Sequence, residues 1–595
     1  MGKNMQGFRF KAPFYVKDRT IYDADGQVVR LWGVNYYAPF NHNFYNLEEL
    51  GIRQEEAVDK DIAHFKLMGI DLVRMHMYER EITDPMGNIV ENRNMEVFDY
   101  LIDACEKNGI FLMLSPISYW NTVANQLAQE KLYAYWYIHS QRAFGFTNFF
   151  SVDAMIWDQD ALDAQVRYMN ALFSRKNRYS GKTLSEYKNI VVFELCNEPV
   201  YPNKGLTVEE DPEQEISQVT AASSHGPLRK KFIALWQEFR KNHSSEVDED
   251  KCFALFRAEI MDHYFKTLWP IVDKYFGKNV LHAQFTSYSG ILPEGLDEVF
   301  DKAPIDLVTI GSYLNSGFGF DAVNTDQVNH LPIAQKWFNR FALRAPSPHP
   351  VISYEFDATG TTNGYPLAAI AAKYLEHNIQ IGSYFTYTPF DVTPWNPGWL
   401  VHFFNIAGTP SRAAAFAISG EFFRENSRKA LSLEELPEEW KSETLQIKKE
   451  NDLVVYLSEE FFGYSNDTDM QINSPETLCR IVGRKSSDFA SSTGNGCYFM
   501  EKISGNQWHL TLFPDQKFLA DVTRGRTYRT MANRYVNCVK EPPVVQLQYN
   551  KVDFTLKMLS ITECRNEKGD PVDVRNNTVS LLPGSYTLYT APRKK

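Results

Sequence analysis

The chain of 595 residues contains 62 Lys and Arg against 74 Asp and Glu, which gives a net charge of −12 at pH 7. This charge disfavours nucleic-acid binding, because contacts with phosphate backbones require clustered positive charge. Hydrophobic residues make up 44% and charged residues 23% of the chain, as in ordinary globular domains, so global disorder is excluded. The length predicts two or three domains, since one α/β barrel can absorb about 250 to 400 residues.

The first twenty residues lack the apolar core of a signal peptide, and no run of 18 apolar residues occurs in the sequence. We therefore expect no membrane association and a cytoplasmic location, or a secreted one if a signal peptide has been removed. The seven cysteines are widely spaced without a C-x-x-C pair, so no metal site is predicted. Their odd number and low density suit a reducing compartment.

Eight short apolar runs, each followed by a segment with helical periodicity, make up most of the first 390 residues. The predicted strands are 31–36, 70–76, 110–116, 190–197, 280–285, 305–311, 350–355 and 381–388. Continuous apolar strands are typical of parallel sheets that are covered on both faces. Eight such strands alternating with helices predict a closed (β/α)8 TIM barrel rather than an open sheet.

The chain changes character at about residue 430, where helical periodicity gives way to short strands separated by turn residues. We therefore predict a barrel over 1–430 and an all-β sandwich domain over 431–595. The charged run at 434–443 is interpreted as the linker, or as a solvated face or junction. The intervals of 80 and 90 residues after the third and fourth strand starts predict barrel insertions at about 117–158 and 200–255.

Two carboxylates follow predicted strands of the barrel. Glu198 lies in Asn197-Glu198-Pro199 at the end of the fourth strand, and Glu355 ends the seventh strand. Catalytic groups of such barrels lie at the carboxyl ends of the strands. Taken alone, Glu198 also fits a cap of the following helix, but an opposed pair is what retaining glycoside hydrolysis needs. One carboxylate then acts as nucleophile and the other as acid/base, about 5 to 5.5 Å apart.

These motifs resemble those of retaining glycoside hydrolases of the large (β/α)8 clan, in particular glycoside hydrolase family 5, which includes cellulases and mannanases. The resemblance covers about residues 8–425 and includes LWGVN in strand one and ELCNEP in strand four. It implies that Glu198 is the acid/base and Glu355 the nucleophile. It also implies that Asn197 binds the sugar 2-hydroxyl, that Arg74 ends strand two near the nucleophile, and that Tyr313 holds it.

Two positions depart from the family pattern. Gly311 stands where the family usually has a His, two residues before Tyr313. The family commonly places a Trp under the sugar in strand eight, for which this chain offers Tyr387 or the later Trp395. The resemblance is therefore closer to the clan than to the family.

Two further candidates, His76 and Asn35, each have two interpretations. His76 faces the same way as Arg74 and is either a ligand of a sugar hydroxyl or a core histidine. The same alternatives apply to Asn35 at the end of strand one. Glu194 is predicted to be a buried partner of a basic group on strand two. We expect Arg74 to keep Glu355 ionised and the surroundings of Glu198 to raise its pKa.

The leading interpretation is a retaining β-glycosidase without metal or organic cofactor, acting on an oligosaccharide or glycoside. A β-mannoside, a β-glucoside and a β-galactoside all remain open as substrates. Exo-acting cleavage in a pocket is expected, because the long insertions and aromatic side chains such as Trp120 would block one end of a cleft. An endo-β-glycanase is the enzymatic alternative, and a non-catalytic carbohydrate-binding protein is the alternative of another class. The carboxylate pair argues against the latter. Whether the chain forms a homo-oligomer is open.

Overall fold

The computed structural model describes most of the chain. The described residues are 7–38, 42–77, 79–118, 145–209, 224–246, 248–288, 290–314, 324–342, 348–398, 401–425, 432–523 and 542–593. Within them the chain forms a parallel barrel followed by a domain of mostly antiparallel sheets.

Eight strands form the closed barrel. They are β3 (Leu31–Asn35), β4 (Leu72–His76), β5 (Phe111–Ser115), β6 (Ile190–Glu194), β7 (Leu281–Phe285), β8 (Leu307–Leu314), β9 (Val351–Ala358) and β10 (Ile381–Tyr384). Each pairs in parallel with the next, and β10 pairs with β3 to close the ring. The predicted (β/α)8 barrel is thus confirmed. The fourth strand ends at Glu194, so Glu198 lies in the loop beyond it.

The helices follow the strands and cover the barrel. They are α1 (His42–Glu49), α2 (Gln54–Met68), α3 (Arg93–Lys107), α4 (Ala154–Trp157), α5 (Gln159–Ser174), α6 (Gly226–Asn242), α7 (Glu249–Phe276), α8 (Asp297–Lys302), α9 (His330–Ala342), α10 (Tyr365–Glu376) and α11 (Pro410–Glu425). Among the described helices, none combines the length and hydropathy that crossing a membrane requires.

A short hairpin covers the amino-terminal end of the barrel. Its strands are β1 (Tyr15–Lys17) and β2 (Thr20–Tyr22), which pair antiparallel. Phe14 and Ile21 join the apolar cluster inside the barrel, where they pack with residues such as Leu31 and Phe111. This end of the barrel is therefore filled by apolar side chains, and the carboxyl ends of the strands remain as the location for a polar site.

The carboxyl-terminal domain has an 11-stranded sheet, a four-stranded sheet and one further two-stranded pair. Its strands are β11 (Glu434–Leu436), β12 (Glu439–Lys441), β13 (Leu445–Lys448), β14 (Leu453–Leu457), β15 (Phe461–Tyr464), β16 (Arg480–Gly483), β17 (Ala490–Ser492), β18 (Tyr498–Ser504), β19 (Gln507–Leu512), β20 (Asp515–Phe518), β21 (Val545–Gln548), β22 (Val552–Leu556), β23 (Leu559–Asn566), β24 (Pro571–Val572), β25 (Val574–Arg575), β26 (Thr578–Leu581) and β27 (Gly584–Pro592).

Side chains alternate between the two faces of the large sheet, as the period of a strand requires. Val454 and Tyr456 belong to the cluster that includes the barrel helices, whereas Val455 packs with the core of the β domain. Phe554 of the four-stranded sheet lies in that second core. The predicted β-sandwich is confirmed, and the domain is attached to the barrel through one face of its larger sheet.

The prediction of a linker at 434–443 is wrong, because this segment forms the hairpin β11–β12 at the edge of the large sheet. Trp440 is only 2% exposed, and its ring lies 5.2 Å from Nζ of Lys373 on the barrel helix α10. The charged residues that suggested a linker occupy the more exposed positions of this hairpin.

The structure describes different parts of the two predicted insertions. Residues 119–144, which include Trp120, lie outside the described residues. The described part of the second insertion contains α6 and leads into α7, and it forms an apolar cluster of its own. Phe232 and Trp236 of α6 pack there with Trp157 and Phe253.

Candidate active site

Arg74, the third residue of β4, lies at the centre of a buried polar cluster at the carboxyl ends of the strands. Its Nη1 atom donates to Oε1 of Glu355 at 2.9 Å and to Oδ1 of Asn35 at 2.9 Å. Its Nη2 atom donates to Oε2 of Glu194 at 2.5 Å and to Oδ1 of Asn197 at 2.9 Å. The planar guanidinium thereby holds side chains of β3, β6, β9 and the loop after β6 in one arrangement.

Glu355 on β9 receives contacts from three residues on two other strands. In addition to the bond from Arg74, the hydroxyl of Tyr313 on β8 donates to Oε2 at 2.5 Å. Nε2 of His76 on β4 lies 3.0 Å from Oε1. Both carboxylate oxygens are therefore engaged, and the side chain is only 4% exposed. These contacts fix the orientation of Glu355, and Tyr313 lies where the resemblance places it.

Glu198 lies four residues beyond the end of β6. Its backbone φ is +45°, in the left-handed region that non-glycine residues rarely occupy, and such strain is common at functional sites. The hydroxyl of Tyr354 donates to its Oε1 atom, and the hydroxyl of Tyr288 also hydrogen-bonds its carboxyl group. The residue as a whole is partly exposed. Glu198 is thus held by two tyrosines at the edge of the cluster.

Burial raises the pKa of Glu355 well above its ordinary value, and the charge of Glu198 raises it further, whereas Arg74 and Tyr313 lower it. Burial also raises the pKa of Glu198, as the sequence predicted, against the hydrogen bonds of its two tyrosines. The expectation that Arg74 keeps Glu355 fully ionised needs correction, because the guanidinium is shared with Glu194 and burial outweighs it. The pKa of each carboxyl group is thus raised by burial and by the charge of Glu194, and that of Glu355 also by the charge of Glu198.

The prediction that Glu194 is a buried structural partner is confirmed. Both Glu194 and Arg74 have fully buried side chains, and Oγ1 of Thr309 donates to the second carboxylate oxygen of Glu194 at 2.7 Å. Both oxygens of Glu194 therefore have protein partners, as a structural counter-ion requires.

Asn35 and His76 lie beneath the guanidinium. Asn35 is fully buried, and its Nδ2 atom donates to the backbone carbonyls of Tyr354, Ser383 and Tyr384. Its side chain is therefore placed to orient Arg74 rather than to reach a ligand. Burial lowers the pKa of His76 well below its ordinary value, so the ring is neutral.

The aromatic side chain beside the cluster is Phe385, which directly follows β10. Its ring centroid lies 6.2 Å from that of His76 and 6.3 Å from that of Tyr313, two of the residues that contact Glu355. Tyr37 lies 5.7 Å from Phe385 on another side. The sequence prediction missed Phe385 because it fell inside the predicted eighth strand. The predicted strand continued to residue 388, so the sequence carried no signal that the strand ends at Tyr384 and that Phe385 faces the site.

Of the two aromatic candidates named from the sequence, Tyr387 lies away from the cluster. Tyr387 is 2% exposed and packs between Phe65 and Phe404 on the outer side of the barrel, where its hydroxyl lies 3.3 Å from Nδ1 of His64. This burial behind the strands contradicts a role under the sugar. Trp395 is partly exposed in the segment after β10.

A second buried polar group adjoins the site. Asp357, two residues after Glu355 on β9, accepts a hydrogen bond from Arg412 and lies 2.9 Å from Nδ1 of His402. The His402 ring packs 4.8 Å from Phe385 and 5.5 Å from Tyr313. This group supports the wall of the site. In the part of the chain that the structure describes, no group of three or more His, Cys, Asp or Glu side chains is arranged to hold a metal ion.

Comparisons with known proteins give similarity to solved structures alone. No family model matches the chain, and no curated protein matches it. A glycoside hydrolase family 5 mannosidase from Rhizomucor miehei is 12% identical with a TM-score of 0.44 and covers 71% of this chain and 99% of its own. The endo-1,4-β-mannanase of that organism is 12% identical with a TM-score of 0.42 and covers 69% and 99%. An endo-β-1,4-mannanase from Thermotoga petrophila is 12% identical with a TM-score of 0.41 and covers 82% and 95%. The function is therefore inferred from the geometry of the site.

Proposed function

We propose that the protein is a retaining glycoside hydrolase that cleaves β-linked oligosaccharides by double displacement. The observation that carries this proposal is the pair of interacting carboxyl groups, Glu198 and Glu355, at the carboxyl ends of β6 and β9. One of them is bound by a guanidinium and the other by two tyrosine hydroxyls. A purely carbohydrate-binding protein has no use for such a pair, because burying two carboxyl groups together costs free energy.

The contacts support different roles for the two groups. Glu355 is bonded directly to Arg74, whose charge lowers the pKa of this carboxyl group against the effect of burial, and we therefore assign it as the nucleophile. Glu198 is assigned as the acid/base, since its hydrogen bonds come from neutral hydroxyls and burial raises its pKa. A buried carboxyl group with a raised pKa can donate a proton to a leaving oxygen at neutral pH.

In the proposed first step, Glu355 attacks the anomeric carbon while Glu198 protonates the departing glycosidic oxygen. The product is a glycosyl ester on Glu355. In the second step, Glu198 removes a proton from water, which attacks the same carbon and releases the sugar. Asn197, oriented by its bond to Arg74, is positioned to donate from Nδ2 to the sugar 2-hydroxyl, an interaction that strengthens in the transition state.

For the mode of action we propose internal cleavage rather than the exo-cleavage expected from insertion length. The described part of the second insertion packs into its own cluster with Trp157. No described residue of that insertion forms a hydrogen bond or ion pair with Glu198 or Glu355. The structures named above belong to a mannosidase and to endo-mannanases, so β-mannan oligosaccharides are the first substrates to test.

The experiment that tests the reaction compares Glu355→Ala and Glu198→Ala on aryl β-glycosides and β-1,4-linked oligosaccharides. Glu355→Ala should abolish turnover. Glu198→Ala should retain activity on substrates with good leaving groups, and added azide should give the β-glycosyl azide. Glu298→Ala, which changes a carboxylate on the exposed helix α8, is the control and should behave as the parent enzyme. Formation of the α-glycosyl azide by Glu198→Ala would exchange the two roles.

Mode of action is measured separately with oligosaccharides reduced at one end. Internal cleavage should produce mid-chain fragments in the earliest samples, whereas release of monosaccharide alone from the start would restore the exo-acting interpretation. If the protein bound these substrates but hydrolysed none of them, the non-catalytic alternative would be favoured.

A further inference from the structure

Tyr354 occupies an unusual position on β9. Side chains alternate along a strand, so the residue before Glu355 should face the helices while Glu355 faces the barrel interior. On β8, however, Ile310 pairs with Ser353 and the next residue, Gly311, pairs with Glu355. Tyr354 is therefore the additional residue of a β-bulge, and bulges redirect side chains near active sites.

Because of the bulge, Tyr354 and Glu355 both project into the barrel. Tyr354 is fully buried and belongs to the interior cluster that includes Leu72 and Met113. The guanidinium carbon of Arg74 lies 4.6 Å from the centre of its ring, in a cation–π arrangement. Its hydroxyl donates to Oε1 of Glu198. Tyr354 thus connects the residue that binds the nucleophile with the acid/base.

Gly311 leaves the space that Tyr354 fills. A Cβ atom at position 311 would lie 3.0 Å from the Tyr354 hydroxyl oxygen and 3.0 Å from Cδ1 of Tyr288. Such distances are shorter than ordinary van der Waals contacts, so any side chain at this position displaces one or both tyrosines. The departure of Gly311 from the family pattern and the two tyrosines on Glu198 are therefore parts of one arrangement.

We propose that Tyr354 is a positioning residue for the acid/base, and that Gly311 and the bulge exist to admit it. Its hydrogen bond to Oε1 orients the carboxyl group of Glu198, the proton donor of the proposed first step. This inference rests on the proposed function, since it assigns Tyr354 a role in orienting the proton donor. Tyr354 itself acts through Glu198 and does not touch the reacting atoms.

The charged and titratable groups around Glu198 come from five parts of the barrel. They are Arg74 on β4, Glu194 on β6, Tyr288 after β7, Tyr313 on β8, and Tyr354 and Glu355 on β9. Tyr354→Phe keeps the ring beneath Arg74 and removes only the donor to Glu198. The change is therefore selective for the acid/base.

Tyr354→Phe should raise the pH at which activity declines on the alkaline side by about one unit, because a hydrogen bond that stabilises the ionised carboxylate is lost. It should also lower kcat by about tenfold for substrates with poor leaving groups, and much less for good ones, since only the former depend on proton donation. Tyr168→Phe removes a buried hydroxyl that donates to the Pro116 carbonyl and is the control, with neither effect expected.

Gly311→Ala should shift the alkaline decline in the same direction, because it displaces the tyrosine hydroxyl. The double variant Gly311→Ala/Tyr354→Phe should show less than the sum of the two shifts. An unchanged alkaline limb in Tyr354→Phe would overturn the proposal, and full additivity would overturn the role of Gly311.

Failure of this inference can be distinguished from failure of the proposed function. If the parent protein hydrolyses no glycoside, the Glu198 carboxyl is titrated by carbon-13 NMR in the parent and in Tyr354→Phe, with Glu198→Gln used for assignment. An upward shift of the Glu198 titration in Tyr354→Phe supports the inference without turnover, and coincident titration curves reject it.

Discussion

Glu421 on α11 connects the β domain to the amino-terminal end of the barrel, and we predict that Glu421→Gln destabilises the protein without changing its chemistry. Oε1 of Glu421 accepts hydrogen bonds from Nη2 of Arg424 at 2.8 Å and from Nη1 of Arg480 on β16. Nη2 of Arg480 donates to the Leu67 carbonyl at 2.7 Å. Burial alone would raise the Glu421 pKa, but the charges of Arg424 and Arg480 outweigh it and lower the pKa to about 2.

The magnitude follows from linkage. A carboxyl group with a pKa near 4.5 in the unfolded chain and about 2 in the folded protein contributes about 3 kcal/mol at pH 7. Because the folded pKa is depressed, this contribution is complete above pH 4.5 and declines as the pH falls towards 2. Glu421→Gln should therefore cost about 3 kcal/mol at pH 7 and about 2 kcal/mol at pH 3.5.

The assay is urea unfolding of parent and variant at both pH values, following the first transition since the chain has two domains. Glu501→Gln is the control, because Glu501 is 40% exposed and its carboxylate lies 3.6 Å from Nε of the same Arg480. It should cost less than about 0.5 kcal/mol. Equal losses for the two variants at pH 7 would refute the reasoning. Turnover at 25 °C should be unchanged in both, because Leu67 precedes β4 and lies at the end opposite the carboxylates.

Two further predictions concern the substrate site. Phe385→Ala should raise KM by about tenfold or more with a smaller effect on kcat, because Phe385 lines the site beside His76 and Tyr313. Trp395→Ala is the comparison. A larger rise of KM in Trp395→Ala would show that the later loop, and not Phe385, supplies the aromatic contact with the sugar. Prolonged EDTA treatment should leave kcat/KM unchanged, since the two carboxyl groups suffice for the chemistry, and a loss restored by a divalent ion would contradict this.

The barrel was predictable because its signals are local. Strands buried on both faces are continuous apolar runs, so their number and order can be read from the sequence. The positions of Glu198 and Glu355 follow from the rule that the carboxyl ends of all eight strands meet at one face. The prediction of a linker at 434–443 failed because net charge does not reveal that one residue, Trp440, faces the barrel.

The arrangement around the carboxylates depended on features that local patterns do not show. Strict alternation predicts that Tyr354 faces outward, and only the bulge opposite Gly311 reverses that direction. The choice of Tyr387 rested on its aromatic character, whereas the course of the chain after β10 places Phe385 at the site. The pKa of Glu355 depends on how Arg74 divides its charge, which is a property of the assembled cluster.

That division of charge leads to a last prediction, for Glu194→Gln. Glutamine has the shape of glutamate. Its side-chain oxygen can still accept a hydrogen bond from Nη2 of Arg74, and its amide nitrogen can donate one to the hydroxyl of Thr309. The change removes a negative charge that raises the pKa of both Glu198 and Glu355.

Without the charge of Glu194, the guanidinium acts more fully on the catalytic pair, and both pKa values should fall. The acid limb of the pH–rate profile, which reports ionisation of the nucleophile, and the alkaline limb, which reports loss of the acid proton, should both move to lower pH by about one unit. Tyr354→Phe should move the alkaline limb the opposite way. If both limbs of the Glu194→Gln profile stayed at the same pH and only the maximal rate fell, Glu194 would matter only for holding Arg74 in place.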